Sequence, residues 1–136
     1  MFVTRIRPRV SETDGVGHIN NTTVPIWFEA GREEIFRLFM PELSFKDWNL
    51  VIVHMSIDYV KETFYGSDVE VHTWIRRIGN TSFDIGEALY QDGVLRARGM
   101  CTYVYYSLKE RRPQPIPPDI RDQLAQHLQV EPDGFA

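Results

Sequence analysis

The chain has 136 residues, of which 43% are hydrophobic and 25% are charged, a composition that predicts one folded globular domain rather than a disordered chain. Its formal net charge of −4 argues against nucleic acid as the main partner, because phosphate binding needs a concentrated basic surface. A single cysteine, Cys101, excludes an internal disulfide, and no apolar run or N-terminal segment reads as a membrane span or an export signal. We therefore expect one domain over residues 1–136, located in the cytoplasm, without membrane or nucleic-acid partners.

A β-strand is the first predicted element, over residues 2–9. Apolar and basic side chains alternate there, as on a half-exposed strand, and Pro8 indicates a sheet edge or the end of the strand. The strand leads into a turn over residues 12–18, where Asp14-Gly15 and Gly17 allow the chain to bend.

One long helix is predicted after this turn. Apolar side chains recur at steps of three and four between Val24 and Phe39, which is the period of an α-helix. Residues 20–23 are all of types that cap helices, Pro25 is tolerated in a first turn, and Pro41 ends the helix. The opposite face is predicted to be exposed, and it carries Glu29, Arg32, Glu33 and Arg37.

The junction between the turn and the helix is the candidate site. Asp14 and His18 lie within a few residues of the helix N-terminus, whose unsatisfied N–H groups and dipole stabilise developing negative charge. Asp14 has the chemistry to activate water or to attack a carbonyl directly. An ordinary Asp-Gly turn followed by capping asparagines accounts for the same residues, so spacing alone leaves both interpretations open.

Four long β-strands are predicted after the helix from alternating apolar and polar positions. Their predicted ranges are 50–60, 68–78, 81–91 and 94–107. Asp92-Gly93 joins the last two as a two-residue hairpin, and all four strands are predicted to pair in chain order as a long antiparallel meander. A short helix over residues 119–128 and a frayed end over residues 129–136 are predicted to follow.

This order of elements predicts an α+β layout in which the sheet wraps around the apolar stripe of the helix. The strands carry more apolar surface than one helix can cover, which favours pairing with a second subunit. We therefore expect a homodimer, or a homotetramer built as a dimer of dimers.

Two motifs occur together at the start of the helix. They are Glu12-Thr13-Asp14-Gly15-Val16-Gly17-His18-Ile19-Asn20-Asn21 and Trp27-Phe28-Glu29-Ala30-Gly31-Arg32. Together they resemble the signature of the hot dog fold thioesterases, in particular the 4-hydroxybenzoyl-CoA thioesterase and acyl-CoA thioesterase family. The passages 57–60 and 65–69 are similar to the strand, turn and second strand of that family, so the resemblance extends from about Arg5 to Pro118. It implies the hot dog fold, a long antiparallel sheet wrapped around one central helix.

The resemblance also implies an activity: hydrolysis of an aromatic or medium-chain acyl-CoA, or of an acyl-carrier thioester, without a cofactor or a metal. Asp14 takes the position of the nucleophile or general base, and the backbone N–H of Asn21 takes that of the donor to the thioester carbonyl. Some relatives have a histidine at the position of Asn21, so any imidazole contribution is assigned to His18. Gly17 is expected to let the substrate carbonyl approach the backbone.

Other site residues follow from the resemblance. The remaining predicted substrate-binding residues are Asn20, Val24, Glu29 and Tyr59. Relatives usually carry an aromatic residue where this chain has Val24, which implies a wider or differently shaped acyl pocket. The cations nearest the expected exit for coenzyme A phosphates are Arg76 and Arg77, followed by the turn containing Asn80 and Ser82.

Two further functions remain open from the sequence. One is a hot dog fold hydratase or dehydratase of acyl thioesters, which requires an imidazole and an acid such as His18 and Glu29. The other is a non-catalytic acyl-thioester binding module in which the turn only caps the helix. The four histidines show no zinc spacing and no phosphate-loop or serine-elbow motif is present, so metal, nucleotide and serine chemistry are disfavoured.

Overall fold

Six antiparallel β-strands form one sheet in the computed structural model, which describes residues 1–129. The strands are β1 (Phe2–Ile6), β2 (Leu50–Tyr59), β3 (Val69–Ile78), β4 (Ser82–Gln91), β5 (Val94–Ser107) and β6 (Arg112–Pro113). The α-helices are α1 (Thr23–Gly31), α2 (Glu33–Phe39) and α3 (Pro118–Ala125). Of the predicted frayed end, only Gln129 lies among the described residues, and its N–H donates to the carbonyl of Ile75 (3.0 Å).

The order of the long strands across the sheet is β1-β3-β4-β5-β2. Strands β3 to β5 form the predicted meander, and Asp92 and Gly93 join β4 to β5 with the positive φ angles, 54° and 73°, of a two-residue hairpin. The prediction that all four long strands pair in chain order is wrong for β2, which pairs with β5 and forms an edge of the sheet. The helical segment crosses the sheet from the β1 side, so the chain re-enters the sheet at the opposite edge.

The predicted long helix is in fact two helices that meet at Arg32. The apolar stripe packs against the sheet as predicted, since Phe28 and Ile35 are fully buried. A Cβ atom at Gly31 would lie 2.6 Å from Cγ1 of Val71, so only glycine allows α1 to approach β3 this closely. The α+β hot dog fold, an antiparallel sheet wrapped around a central helical segment, is confirmed.

Arg32 is the main departure from the predicted helix surface. It is 2% exposed and forms an ion pair with Glu87 of β4, which is fully buried. The Nη2 atom of Arg32 donates to Glu87 (3.1 Å) and Nη1 donates to the hydroxyl of Tyr103 (3.2 Å). Burial disfavours the charge, but the bonds and the attraction from Glu87 outweigh burial and raise the pKa of Arg32. The break between α1 and α2 turns Arg32 inward, so the prediction that Arg32 lies on the exposed face of the helix is wrong.

We expect Arg32→Met to lower the free energy of unfolding by about 3–5 kcal/mol, because the substitution leaves the Glu87 carboxylate buried without its counter-ion. The double variant Arg32→Met/Glu87→Leu removes both charges and should be more stable than the single variant. Urea unfolding at one protein concentration measures both. Arg37→Met is the matched control, since Arg37 forms an exposed pair with Glu33 that contributes only about 0.3–0.5 kcal/mol. Equal losses for Arg32→Met and Arg37→Met would contradict the assigned role of the buried pair.

Candidate active site

A tight turn between β1 and α1 holds Asp14. The N–H of Asp14 donates to the carbonyl of His18 (2.8 Å), and Oδ1 of Asp14 accepts a hydrogen bond from the N–H of Val16 (3.0 Å). Gly15 and Gly17 have φ angles of 95° and 91°, which glycine adopts without steric cost. The second carboxylate oxygen, Oδ2, accepts no hydrogen bond from residues 1–129 and is therefore the oxygen available for chemistry.

The imidazole of His18 lies between two carboxylates. Its Nδ1 atom is 3.7 Å from Oδ2 of Asp14, and its Nε2 atom is 3.5 Å from Oε2 of Glu62. Both distances exceed hydrogen-bond length, so the contacts are electrostatic in this arrangement. Phe64 packs edge-on against the imidazole ring, with 5.1 Å between the ring centroids. Sequence patterns had not predicted Glu62 as a site residue.

The connection between β2 and β3 supports the turn. The N–H of Tyr65 donates to the carbonyl of Gly17 (2.9 Å), and His18 and Phe64 form an isolated β-bridge. Gln91, at the end of β4 and 1% exposed, fixes this connection by donating to the carbonyls of Phe64 (2.7 Å) and Ser67 (2.9 Å). The position of His18 therefore depends on a buried amide in the sheet.

Glu12 connects the same turn to α1. Its carboxylate accepts hydrogen bonds from the backbone N–H of Arg9 (2.7 Å) and from the indole N–H of Trp27 (2.9 Å). The backbone carbonyl of Glu12 accepts a hydrogen bond from the N–H of Asn20 (2.8 Å). Burial opposes ionisation of Glu12, but these hydrogen bonds and the charge of Arg9 outweigh it, so the pKa of Glu12 lies below its ordinary value. Glu12 thus holds Asp14, two residues later, at a fixed position relative to the helix.

Asn21 lies two residues before Thr23, the first residue of α1, and directly before the N-cap residue Thr22. Its backbone N–H finds no acceptor among residues 1–129, while its carbonyl accepts a hydrogen bond from the hydroxyl of Tyr59 (2.6 Å). No side chain among residues 1–129 caps α1; the side chain that bonds nearby is Asn20, whose Oδ1 accepts hydrogen bonds from the N–H and the hydroxyl of the N-cap residue Thr22 (3.0 Å each). The arrangement leaves the N–H of Asn21 available to a ligand.

These groups line one cavity of about 470 Å³ at the start of α1. The predicted site residues in its wall are Asp14, His18, Asn20, Asn21, Val24 and Tyr59. Residues that sequence analysis did not assign to the site also line it: Ile19, Val60, Lys61, Glu62, Thr63, Arg96 and Ala97. Most of these lie on the connection after β2 or at the start of β5, and no sequence motif marks them.

Other predicted residues lie elsewhere in the chain. Gly17 is exposed and is not part of the cavity wall. Glu29 lines a separate, mainly apolar groove of about 600 Å³ that also contains Phe45 and Trp48. Within one chain, Glu29 therefore does not share a cavity with His18.

The residues predicted to bind coenzyme A phosphates lie at the far end of the sheet within one chain. Arg77 donates to Asp84 (2.9 Å) and to Ser82 (3.1 Å), and Asp84 pairs in register with Thr102, whereas the cavity adjoins Ala97. Arg76 and Asn80 are exposed in the same region. This part of the predicted site stays a prediction, and the cations in the cavity wall are Lys61 and Arg96.

Within residues 1–129, no group of three or more histidine, cysteine, aspartate or glutamate side chains is arranged to hold a metal ion. None of the described helices has the length and apolar character that a membrane crossing requires.

Glu12→Gln tests the connection between turn and helix. Because the folded-state pKa of Glu12 is lowered from 4.5, its carboxylate stabilises the fold above the unfolded-state value, and the contribution disappears as pH falls through the folded-state pKa. We expect wild type to exceed Glu12→Gln by about 1–3 kcal/mol in free energy of unfolding at pH 7. The difference should shrink below pH 4.5. Urea unfolding from pH 7 to pH 3 measures it, with the exposed Glu42→Gln as control, and a pH-independent difference would contradict the role of the carboxylate.

Comparison with known proteins shows which family this chain resembles. Residues 8–124 match the model of the thioesterase-like superfamily. A predicted thioesterase from Bacillus stearothermophilus is 58% identical, with 96% of this chain and 98% of that chain covered and a TM-score of 0.94. A thioesterase from Thermus thermophilus, solved in complex with coenzyme A and Zn, is 24% identical over 90% of this chain and 96% of that chain, with a TM-score of 0.81, and shares the fold.

A curated relative is more distant. The uncharacterized protein YsmA from Bacillus subtilis (strain 168) is 26% identical over 84 residues, which are 62% of this chain and 57% of that protein. This match thus spans little more than half of the curated relative. The family model, in contrast, covers most of the sequence, and the chain belongs to the thioesterase-like superfamily.

Proposed function

We propose that the protein is an acyl-CoA thioesterase, which hydrolyses the thioester of an aromatic or medium-chain acyl-CoA to the free acid and coenzyme A. The observation that carries the proposal is that the Asp14 carboxylate, with Oδ2 free of hydrogen bonds, and the unpaired N–H of Asn21 belong to the wall of one cavity. Membership of the superfamily supports thioester hydrolysis as the class of activity. The coenzyme A complex of the Thermus protein supports coenzyme A as the carrier.

The chemistry assigns a role to each group. As a general base, Asp14 takes a proton from water while the water oxygen attacks the thioester carbonyl carbon. As a nucleophile, Asp14 attacks the same carbon to form an anhydride, which water then hydrolyses. In both routes the carbonyl oxygen gains negative charge and accepts a hydrogen bond from the N–H of Asn21. The carbon–sulfur bond then breaks and releases the thiolate. The thiolate takes up a proton from solvent because an ordinary thiol has a pKa of about 8.5.

His18 and Val24 complete the proposed site. The imidazole of His18 lies between the carboxylates of Asp14 and Glu62 and supplies a polar surface beside the attacking water. Val24, 3% exposed, forms an apolar part of the wall against which the acyl group packs. Because valine is smaller than an aromatic residue, the acyl group has more room here than in relatives with an aromatic side chain at this position.

A hydratase or dehydratase needs an acid beside the imidazole, and the predicted pair for that chemistry is His18 with Glu29. Glu29 lies in a different groove from His18 within one chain, which weighs against this pair, although Asp14 and Glu62 are acids near the imidazole. A non-catalytic binding module requires only the cavity, and turnover of an acyl-CoA separates it from an enzyme.

We also propose that the chain forms a homodimer through the free edge of β2, with a homotetramer as a dimer of such dimers. Val51, Ile52 and Val53 on β2 are 39%, 43% and 59% exposed, which is unusual for three consecutive apolar side chains. The edge also presents unpaired backbone N–H and C=O groups to solvent. Pairing with an antiparallel copy of the same strand covers the apolar side chains and gives these backbone groups hydrogen-bond partners. The apolar groove that includes Ile52 continues this surface.

Asp14→Asn tests the proposed reaction. Asparagine preserves the hydrogen bond from the N–H of Val16 but removes the basicity, so we expect kcat to fall about 10²- to 10⁴-fold, or roughly 3–5 kcal/mol of barrier, with the fold intact. Asn21→Ala should change kcat little, because it keeps the backbone N–H, and the side chain that bonds to Thr22 is that of Asn20. Release of free thiol from acyl-CoAs measures both.

Asp68→Asn is the matched control, since Asp68 is an exposed acid outside the cavity. Activity should also persist after chelation of metals. Near-full turnover by Asp14→Asn together with loss of turnover by Asn21→Ala would overturn the assignment of the carboxylate, and strict metal dependence would overturn the proposed chemistry.

Val53→Lys tests the dimer, because a charge on an edge strand opposes edge-to-edge pairing. We expect a dimer or larger assembly for wild type and a monomer for Val53→Lys at micromolar concentration, measured by light scattering after size exclusion. Val3→Lys is the matched control on β1 at the opposite edge, where Val3 is 54% exposed. A monomeric wild type, or dissociation by Val3→Lys alone, would contradict pairing through β2.

A further inference from the structure

The end of β2 has an irregular backbone that directs Lys61 to the cavity. The N–H groups of Val60 and Lys61 both donate to one acceptor, the carbonyl of Arg96 (2.8 and 2.9 Å). Two residues thus face one residue of β5, which is the pattern of a β-bulge. A bulge changes the direction of the side chains that follow it, and consecutive residues Val60 and Lys61 both line the cavity.

Arg96 lies in the same wall but is held rigidly. Its Nη1 donates to the carbonyl of Glu62 (2.9 Å) and its Nη2 donates to the carbonyl of Gln91 (3.2 Å). These acceptors are neutral, so the guanidinium is hydrogen-bonded without being neutralised. Lys61 is exposed and forms no ion pair with a carboxylate in the described part of the chain.

The cavity also contains two acids, Asp14 and Glu62, whose carboxylates lie beside the two ring nitrogens of His18. Neither carboxylate forms an ion pair with Lys61 or Arg96 in the described part of the chain, and the contact of Arg96 with Glu62 is to its backbone carbonyl. Two positive charges without a counter-ion in a partly enclosed cavity attract an anion more strongly than they would in open water, because the local dielectric is lower. A ligand with a negative group therefore gains more from this wall than a neutral ligand of the same shape.

We propose that Lys61, with Arg96 behind it, forms an anion subsite beside Asp14 that binds a negatively charged group of the thioester substrate. The inference rests on the proposed function, because the thioester must reach Asp14. The negative group has two sources: a carboxylate at the far end of the acyl chain, or a phosphate of the carrier. Both are anionic oxygens that an ammonium binds through charge-assisted hydrogen bonds.

Four thioesters separate the two sources: hexanoyl and adipoyl groups, each on coenzyme A and on N-acetylcysteamine. Isothermal titration with the Asp14→Asn protein, whose turnover is strongly reduced, gives each Kd. Lys61→Met retains most of the side-chain length, and we expect Asp14→Asn/Lys61→Met to bind ligands that carry the bound anion with a Kd about tenfold higher than that of Asp14→Asn. The Kd for hexanoyl-N-acetylcysteamine, which carries neither anion, should stay unchanged. Lys61→Arg should restore affinity, and Lys109→Met is the matched control because Lys109 is an exposed lysine outside the cavity.

An effect on both adipoyl ligands identifies the acyl carboxylate, and an effect on both coenzyme A ligands identifies the carrier phosphate. Equal changes for all four ligands, no change for any of them, or no binding at all would overturn the anion subsite. Failure of the proposed function shows separately, as absence of hexanoyl-CoA hydrolysis by the wild-type protein.

Discussion

The ion pair between Arg32 and Glu87 fixes where the helical segment lies on the sheet. Apolar contacts hold α1 against β3, but they are non-directional and tolerate small shifts along the surface. A buried guanidinium is stable only with its counter-ion at hydrogen-bond distance, so the pair allows one position of the helix along β4. Since α1 has nine residues and rises 1.5 Å per residue, its first turn then lies about 14 Å from Arg32. The ion pair in this way determines the location of the cavity at the start of the helix.

Two further polar contacts set the geometry at that end. Glu12 connects the Asp14 turn to α1 through Trp27, and Gln91 connects the opposing segment to β4 through Phe64. Glu12 and Gln91 are 9% and 1% exposed, so their hydrogen bonds have little competition from water. Asp14 is thus held from the helix side and from the sheet side, although its own side chain remains 38% exposed. Rigid support under an accessible carboxylate is what a reaction at that carboxylate requires.

The sequence predicted the features that depend on local spacing. The hairpin at Asp92-Gly93, the buried stripe from Val24 to Phe39 and the proximity of Asp14 to His18 all follow from residues close together in the chain. The errors concern contacts between distant residues. Pairing of β2 with β5 depends on the path of the helices, and burial of Arg32 depends on Glu87, 55 residues later.

The cations of the cavity were missed for a related reason. Lys61 is directed to the cavity by a bulge that exists only because β2 pairs with β5. Arg96 belongs to β5, and its carbonyl accepts the two hydrogen bonds of the bulge. Neither residue belongs to a motif. A search for lysines and arginines that flank predicted turns would have included both, but it would equally have included Arg76 and Arg77 at the other end of the sheet.

The exposed side of the cavity and the free edge of β2 are parts of one surface. Tyr59, at the end of β2, both lines the cavity and positions Asn21, and it is 52% exposed in the single chain. A carboxylate and an N–H donor act more strongly when water is excluded from them, so the open side of this partly enclosed cavity weakens the site for the proposed hydrolysis. In the proposed homodimer, the second copy lies along β2, where it would cover the exposed apolar side chains of that strand and, at its end, the open side of the cavity. The same contact therefore meets two requirements of the proposed enzyme, burial of the sheet edge and enclosure of the reacting groups.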